Sequence, residues 1–267
     1  MGKVYLVGAG PGAPDLLTLR AARLLASADI VLHDALVHPD TLALATRAEL
    51  VPVGKRCGAH STAQRFINKR LVDAAKKYPV VVRLKGGDPM LFGRAQEEID
   101  ALTAEGIAFE VVPGITAALA ASAQLGVALT RRGVARTMTL VTPRIGDEES
   151  GSDWAAAALA ADTAAIYMGA GQAEAIAQTL IARGRSEDTP VVVVRNASLS
   201  GSTARAGMLR DLAALCAADS AEGAEGTIAG PAVILLGEAL RAAVAADELE
   251  QHCTKASVQQ LRRQLGG

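Results

Sequence analysis

Aromatic side chains are scarce in this sequence. Phe, Tyr and Trp make up 3% of the 267 residues, while hydrophobic residues of all kinds make up 50%. A sizeable core is therefore available, but Ala, Val and Leu must fill it. An excess of one charge is also missing: 27 Lys and Arg stand against 28 Asp and Glu, for a net charge of -1. That excludes a global basic field for nucleic acid or an acidic membrane, so any anion site must be local. Cysteine is rare, and Cys57, Cys216 and Cys253 lie far apart and are odd in number. They fit reduced thiols and give no metal spacing. No apolar run reaches the length of a membrane span. The first residues, "MGKVYLVG", enter a strand without the apolar run of a secretory leader, and Leu6 stands where a myristoylation signal needs Ser or Thr. A cytoplasmic protein is expected.

Several catalytic signatures are absent too. There is no G-x-S-x-G. His33, His38, His60 and His252 sit in unrelated settings, with no carboxylate–histidine pair at ligand spacing, so no metal is expected. The stretch "GAGPG" invites a dinucleotide reading, but Gly8, Gly10 and Gly12 miss the G-x-G-x-x-G spacing, and Pro11 removes an amide. Gly54-Lys55 is followed by Arg56 rather than Ser or Thr, so it is no phosphate loop.

What is present is an alternation of strands and helices. Short apolar runs at 3–8, 29–34, 49–53, 79–84 and 108–114 read as strands. Helical patterns lie between them at 14–28, 61–78 and 94–106, with Ser61 or Thr62 as a cap for the second, and a small-residue helix follows at 115–126. The charged segment "TRRGVAR" interrupts the pattern, and a second set of strands and helices follows. The expected domains are 1–132, 133–240 and a helical or frayed tail at 241–267. Apolar strands between helices imply sheets covered on both faces, hence an α/β class with two α/β domains and a cleft between them. Ligands in such sheets bind beyond the carboxyl ends of strands, where both glycine loops fall. The second loop, "RLKGGDPMLFGR", poses a question: what comes so close to its backbone that Gly86 and Gly87 are needed?

Six stretches in collinear order, "VYLVGAGPGAPDLLTLRA", "VGKRCGAH", "VVVRLKGGDPMLFGR", "FEVVPGITAALAA", "ALTRR" and "AAIYMG", make the chain resemble the tetrapyrrole methylases over about residues 3 to 238. Within that family the motifs are most similar to those of enzymes acting on uroporphyrinogen III. The resemblance implies a two-domain homodimer that binds S-adenosylmethionine between its domains. It implies methylation of uroporphyrinogen III at two ring carbons, giving precorrin-2 by way of precorrin-1, with S-adenosylhomocysteine as the other product. Its cofactor contacts fall on Pro11, Gly86, Gly87, Asp88, Leu91, Thr116, Ala117, Met168 and Ala197. Its catalytic positions fall on Asp34, Lys55, Arg94 and Glu97, of which Asp34 and Lys55 are associated with proton transfer. Its substrate contacts fall on Arg94, Glu97 and Arg132.

Residue chemistry agrees with that placement. Glycines let a ligand approach the backbone without a Cβ in the way. Asp88 can accept from a ligand or cap the turn that Pro89 begins. Arginines such as Arg56, Arg94, Arg131, Arg132 and Arg144 suit the carboxylates of a tetrapyrrole. The chain departs from the family's usual pattern at Ala13, Ala35, Ala95, Gln96, Pro143 and Arg144. These changes bear on substrate contacts, and Arg144 is expected to compensate for the arginine missing at position 35. Nothing in the sequence resembles the dehydrogenase-chelatase domain fused to this unit in some siroheme synthases, so oxidation of precorrin-2 and iron insertion are not expected. The alternatives are a methylase of a later precorrin, which "VGKR" and "LTRR" disfavour, and a non-catalytic binder of S-adenosylmethionine or a tetrapyrrole. Retention of Asp34, Lys55, Arg94 and Glu97 together argues against the binder.

Overall fold

The computed structural model describes residues 1–54, 64–145, 151–221 and 230–246. The readings made for Lys55, Arg56, Cys57, His60, the Ser61 or Thr62 cap, His252 and Cys253 lie outside the described residues. The chain forms two compact units, Met1–Ala120 with Ser198–Ser200, and Ala121–Ala197 with the described residues from Gly201 onward.

The first unit runs β1 Lys3–Gly8, α1 Leu19–Ser27, β2 Ile30–His33, α2 Pro39–Leu42, β3 Glu49–Pro52, α3 Gln64–Lys77, β4 Val80–Lys85, α4 Ala95–Ala104 and β5 Phe109–Val112. Its five strands pair in the order β3-β2-β4-β1-β5, and every pairing is parallel. All five carboxyl ends therefore share one edge. The two-residue period of the strands sorts the core into two layers. Val4, Leu6, Ile30, Leu32 and Val81 pack with Ile67, Leu71 and Leu102 on one face. Val7, Val31, Val82 and Leu84 pack with Ala21 and Leu25 on the other. Pro52 is tolerated because β3 is an edge strand and needs no second ladder. The helix expected over 14–28 is divided. A single 3-10 turn, Pro14–Leu16, comes first, and then Thr18 starts α1 afresh by accepting the Ala21 amide on its hydroxyl at 3.1 Å.

Helix α5, Ala117–Leu125, leads from the first unit to the second. The second unit continues with β6 Met138–Val141, α6 Trp154–Ala160, β7 Thr163–Tyr167, α7 Ala173–Ala182, β8 Pro190–Arg195, β9 Thr203–Met208, α8 Leu212–Ala221 and β10 Ala232–Gly237. Its sheet is mixed, in the order β6-β7-β10-β8-β9, with β10 antiparallel to both neighbours and β9 antiparallel to β8. Ala, Val, Ile and Leu fill the core, with Ala155, Ala158, Ala164, Ala173 and Ala177 among its members, as the shortage of aromatics requires. Strand β9, "TARAGM", is absent from the sequence reading. It lacks an apolar alternation because it is a half-exposed edge strand held by its ladder to β8.

Asp162 joins the first two strands of this unit. Its Oδ2 accepts the amides of Arg136 and Thr137 and the Thr137 hydroxyl, at 2.8 to 2.9 Å. These bonds, the Arg136 amide foremost, hold the carboxyl below its ordinary 3.8. A carboxyl depressed in the folded state adds stability above its unfolded value and loses that contribution as pH falls through the folded one. Asp162→Asn should therefore lower the melting temperature at neutral pH and blunt the further loss between about pH 5 and pH 3. Equal acid sensitivity in variant and parent, followed by thermal melts across pH, would remove this role.

Candidate functional site

Four neighbouring strands of the first sheet, β2, β4, β1 and β5, end at the same edge and carry most of the residues singled out above. The glycine loop after β1 and the loop after β4 are joined directly. The Gly10 amide donates to the Gly87 carbonyl at 3.2 Å, and the Gly87 amide donates back to Gly10 at 2.8 Å. The Ala9 amide reaches the Lys85 carbonyl at 2.7 Å. The loop after β5 closes on both. A methyl on Gly8 would stand 2.6 Å from the Gly114 Cα and 2.7 Å from the Gly87 oxygen. A methyl on Gly114 would fall inside contact distance of that same oxygen. What approaches these loops is first of all other backbone.

Asp88 makes that arrangement rigid. One carboxylate oxygen accepts the Met90 amide at 2.8 Å and caps the turn after Pro89. The other accepts the Gly114 amide at 2.9 Å and ties the β4 loop to the β5 loop. Gly87 differs from its neighbours: its φ is +66, and the space where a Cβ would lie is open to 4 Å. A ligand could use that space, so the loop fits a bound group that contacts peptide backbone. Pro11, Gly86, Gly87, Asp88 and Leu91 thus share one edge, with Thr116 and Ala117 at the start of α5 just past Gly114.

Asp34 follows β2 at this edge, and its amide donates to the Leu84 carbonyl at 3.1 Å. Beneath it lies a layer of buried charge. Arg83 and Lys85 alternate with Leu84 along β4, so both side chains point to the face covered by α4. There the fully buried Glu98 accepts Arg83 Nε and Lys85 Nζ on one oxygen, each at 2.9 Å, and Gln64 donates to the same oxygen at 3.3 Å. Its second oxygen is buried with no bond among the described residues. The other end of Arg83 donates to Asp34 Oδ1 at 2.5 Å and to the Leu84 carbonyl at 3.2 Å. Arg83 is 2% exposed and Lys85 3%. Burial works against the charge on Arg83, but the Asp34 and Glu98 carboxylates overcome it and hold the guanidinium above its ordinary range. Lys85 is pushed below its ordinary range by burial first and by Arg83 second. The sequence points to this stretch through its glycines but does not mark Arg83, Lys85 or Glu98 as part of the site. The signal was two cations two residues apart in an otherwise apolar buried strand.

Arg94 and Glu97 stand at the start of α4. Arg94 occupies a left-handed conformation at φ 54, and its guanidinium forks onto Glu97 at 2.6 and 2.8 Å, both side chains being half exposed. A non-glycine residue held in this region signals local strain of the kind that gathers at functional sites. Ala95 is buried in the core and Gln96 donates to Asp100, so these two departures act on the helix itself.

In the second unit, Met168 directly follows β7 and Ala197 lies two residues past β8. Both strands flank β10, where Tyr167 faces Val233 and Arg195 faces Ala232, so the two positions share one edge of that sheet. Met168 is exposed at φ 55 and Asn196 has φ 49, again left-handed non-glycine residues. Arg132 is exposed in a turn closed by Arg131 and Ala135. Among the described residues, no group of three or more His, Cys, Asp or Glu is gathered as a metal would need, and no helix is long and apolar enough to cross a membrane.

Residues 3–213 match the family model described as Tetrapyrrole (Corrin/Porphyrin) Methylases, and the chain belongs to that family. It is 44% identical over 241 residues to a siroheme synthase of Pseudomonas fluorescens (strain Pf0-1), covering 90% of this chain and 50% of that protein. It is 50% identical over 195 residues to siroheme synthase 1 of Yersinia pseudotuberculosis serotype I, covering 73% and 41%. The chain thus spans about half the length of the curated relatives it matches. Among solved structures, the uroporphyrin-III C-methyl transferase of Thermus thermophilus, complexed with S-adenosylhomocysteine, superposes with a TM-score of 0.76 at 38% identity. That match covers 90% of this chain and 100% of the other.

The backbone crossing gives a test. Gly114→Ala should cost about 3 kcal/mol or more, since the methyl would overlap backbone that cannot swing aside. Gly171→Ala, where nothing lies within 4 Å of the new methyl, should be close to neutral. Chemical denaturation of both variants checks this, and similar stabilities would show that the loops can part.

Proposed function

We propose that this chain carries out S-adenosylmethionine-dependent C-methylation of uroporphyrinogen III at two ring carbons, giving precorrin-2 by way of precorrin-1. The observation that carries the reading is the match along the whole length of the Thermus thermophilus structure. The siroheme synthase relatives favour a place in siroheme synthesis, with cobalamin or haem d1 as other uses of the same product. The proposal includes a homodimer in the cytoplasm, on the strength of the family resemblance.

The cosubstrate supplies an electrophilic methyl group on sulfur, which a nucleophilic ring carbon takes, leaving S-adenosylhomocysteine. The chain's own work is positioning and proton handling. Pro11, Gly86, Gly87, Asp88 and Leu91 form the proposed contact surface for the cosubstrate, with Asp88 holding the loops in shape. Thr116, Ala117, Met168 and Ala197 are further proposed contacts. Arg94 and Arg132 would receive substrate carboxylates. At Arg94 a carboxylate must compete with Glu97, so binding there exchanges one ion pair for another. The methylated carbon becomes quaternary and the macrocycle must then lose a proton. Lys55 is the other residue that the family resemblance associates with proton transfer, and Asp34 is the proposed acceptor. No described side chain bonds its second oxygen, which leaves that oxygen available to substrate.

An anaerobic incubation with uroporphyrinogen III and S-adenosylmethionine, read by product mass, tests the reading. Two added methyl groups are expected. In Asp34→Asn, kcat should fall by about a hundredfold or more with little change in KM for the methyl donor. No added methyl from the unaltered protein would contradict the assignment and favour a later tetrapyrrole substrate.

A further inference from the structure

We infer that Arg83, clamped by Glu98, is the positioning residue of the Asp34 carboxylate. The inference rests on the role proposed above for Asp34. Its basis is the geometry of a charge layer that no substrate reaches. Arg83 is buried along β4, yet its guanidinium spans from the interior to the sheet edge, with Nε on Glu98 and the far nitrogen on Asp34. Backbone acceptors fix its plane: the Leu84 carbonyl lies at 3.2 Å, and the Leu32 carbonyl is at 3.5 Å. Three of its nitrogens are thus held by groups on β2, β4 and α4. The bond to Asp34 Oδ1 fixes that carboxylate, and no described side chain bonds Oδ2.

A lone buried guanidinium would be costly, and a structural role could be filled by apolar residues of similar volume. The face of β4 that carries Arg83 and Lys85 is otherwise packed with Val, Leu and Ile. What an apolar residue could not do is orient a carboxylate at the strand end. Glu98 has the complementary part. Its one carboxylate is shared between Arg83 and Lys85, with Asp34 matching the remaining positive charge, and it sits on α4 one residue after Glu97. The same helical turn therefore sends one carboxylate outward to Arg94 and the next inward to Arg83, so the placement of α4 bears on both ends of the site.

The test is a double-mutant cycle on turnover, with folding and S-adenosylhomocysteine affinity measured on each protein. Arg83→Lys keeps the charge but cannot span both carboxylates. It should lower kcat by about thirtyfold in the parent and by less than about threefold in an Asp34→Asn background, with S-adenosylhomocysteine affinity unchanged in both. A purely structural role predicts the same loss in either background, and that result would overturn the inference. If Arg83→Lys fails to fold, Glu98→Gln takes its place in the cycle. This change leaves the oxygen that accepts all three donors in place and replaces the one with no bond among the described residues. The expected loss is about fivefold, again absent in the Asp34→Asn background. Turnover by the parent with an additive cycle defeats this inference alone. Failure of the parent to methylate uroporphyrinogen III defeats the assignment of Asp34 and the inference with it.

Discussion

Three peptide backbones meet where Gly8 and Gly114 close on each other and on the Gly87 carbonyl, more tightly than a side chain on Gly8 or Gly114 would permit, and the rest of the site depends on that crossing. Parallel pairing brings the carboxyl ends of β1, β4 and β5 to one edge. Glycine then lets the three loops touch, and Asp88 pins two of them with one bond from each carboxylate oxygen. The outcome is an edge of fixed shape with the Cα of Gly87 open to an incoming group. Rigid loops suit a reaction whose main demand is that two atoms be held in line.

The buried charges form a second constraint. Arg83, Lys85 and Glu98 are almost wholly removed from water, and such an arrangement persists only when each charge is matched. Here one carboxylate oxygen serves two cations, and the surplus positive charge is directed toward Asp34. Core and site are thus continuous. The strand that fills the middle of the first sheet also delivers the guanidinium that meets the carboxylate at its edge.

Much of this was legible in the residues. Short apolar runs between helical patterns marked nine of the ten strands among the described residues. Eight of these are buried or half-buried, and β3, largely exposed at the sheet edge, still carries Leu50 and Val51 as its apolar signal. β9 was not legible, since an edge strand of small and polar residues is held by its neighbour rather than by its own pattern. The glycine loops and the family positions around them could be seen, but not the reason for the glycines: only the fold shows that loop meets loop there. Asp88 shows the same limit, since its capping bond follows from Asp-Pro while its bond to Gly114 spans 26 residues. The Arg83–Glu98–Lys85 layer was missed because two cations in an apolar strand signal a buried charge pair but not its partner, which lies on α4.

The most direct test of the central claim is a crystal structure of the protein grown with S-adenosylhomocysteine. The account predicts the ligand against the loops at Pro11 and at Gly86–Asp88, with Gly8, Gly87 and Gly114 still crossed beneath it. A ligand bound elsewhere, such as the recess lined by Glu174, Arg195 and Cys216 in the second unit, would contradict it.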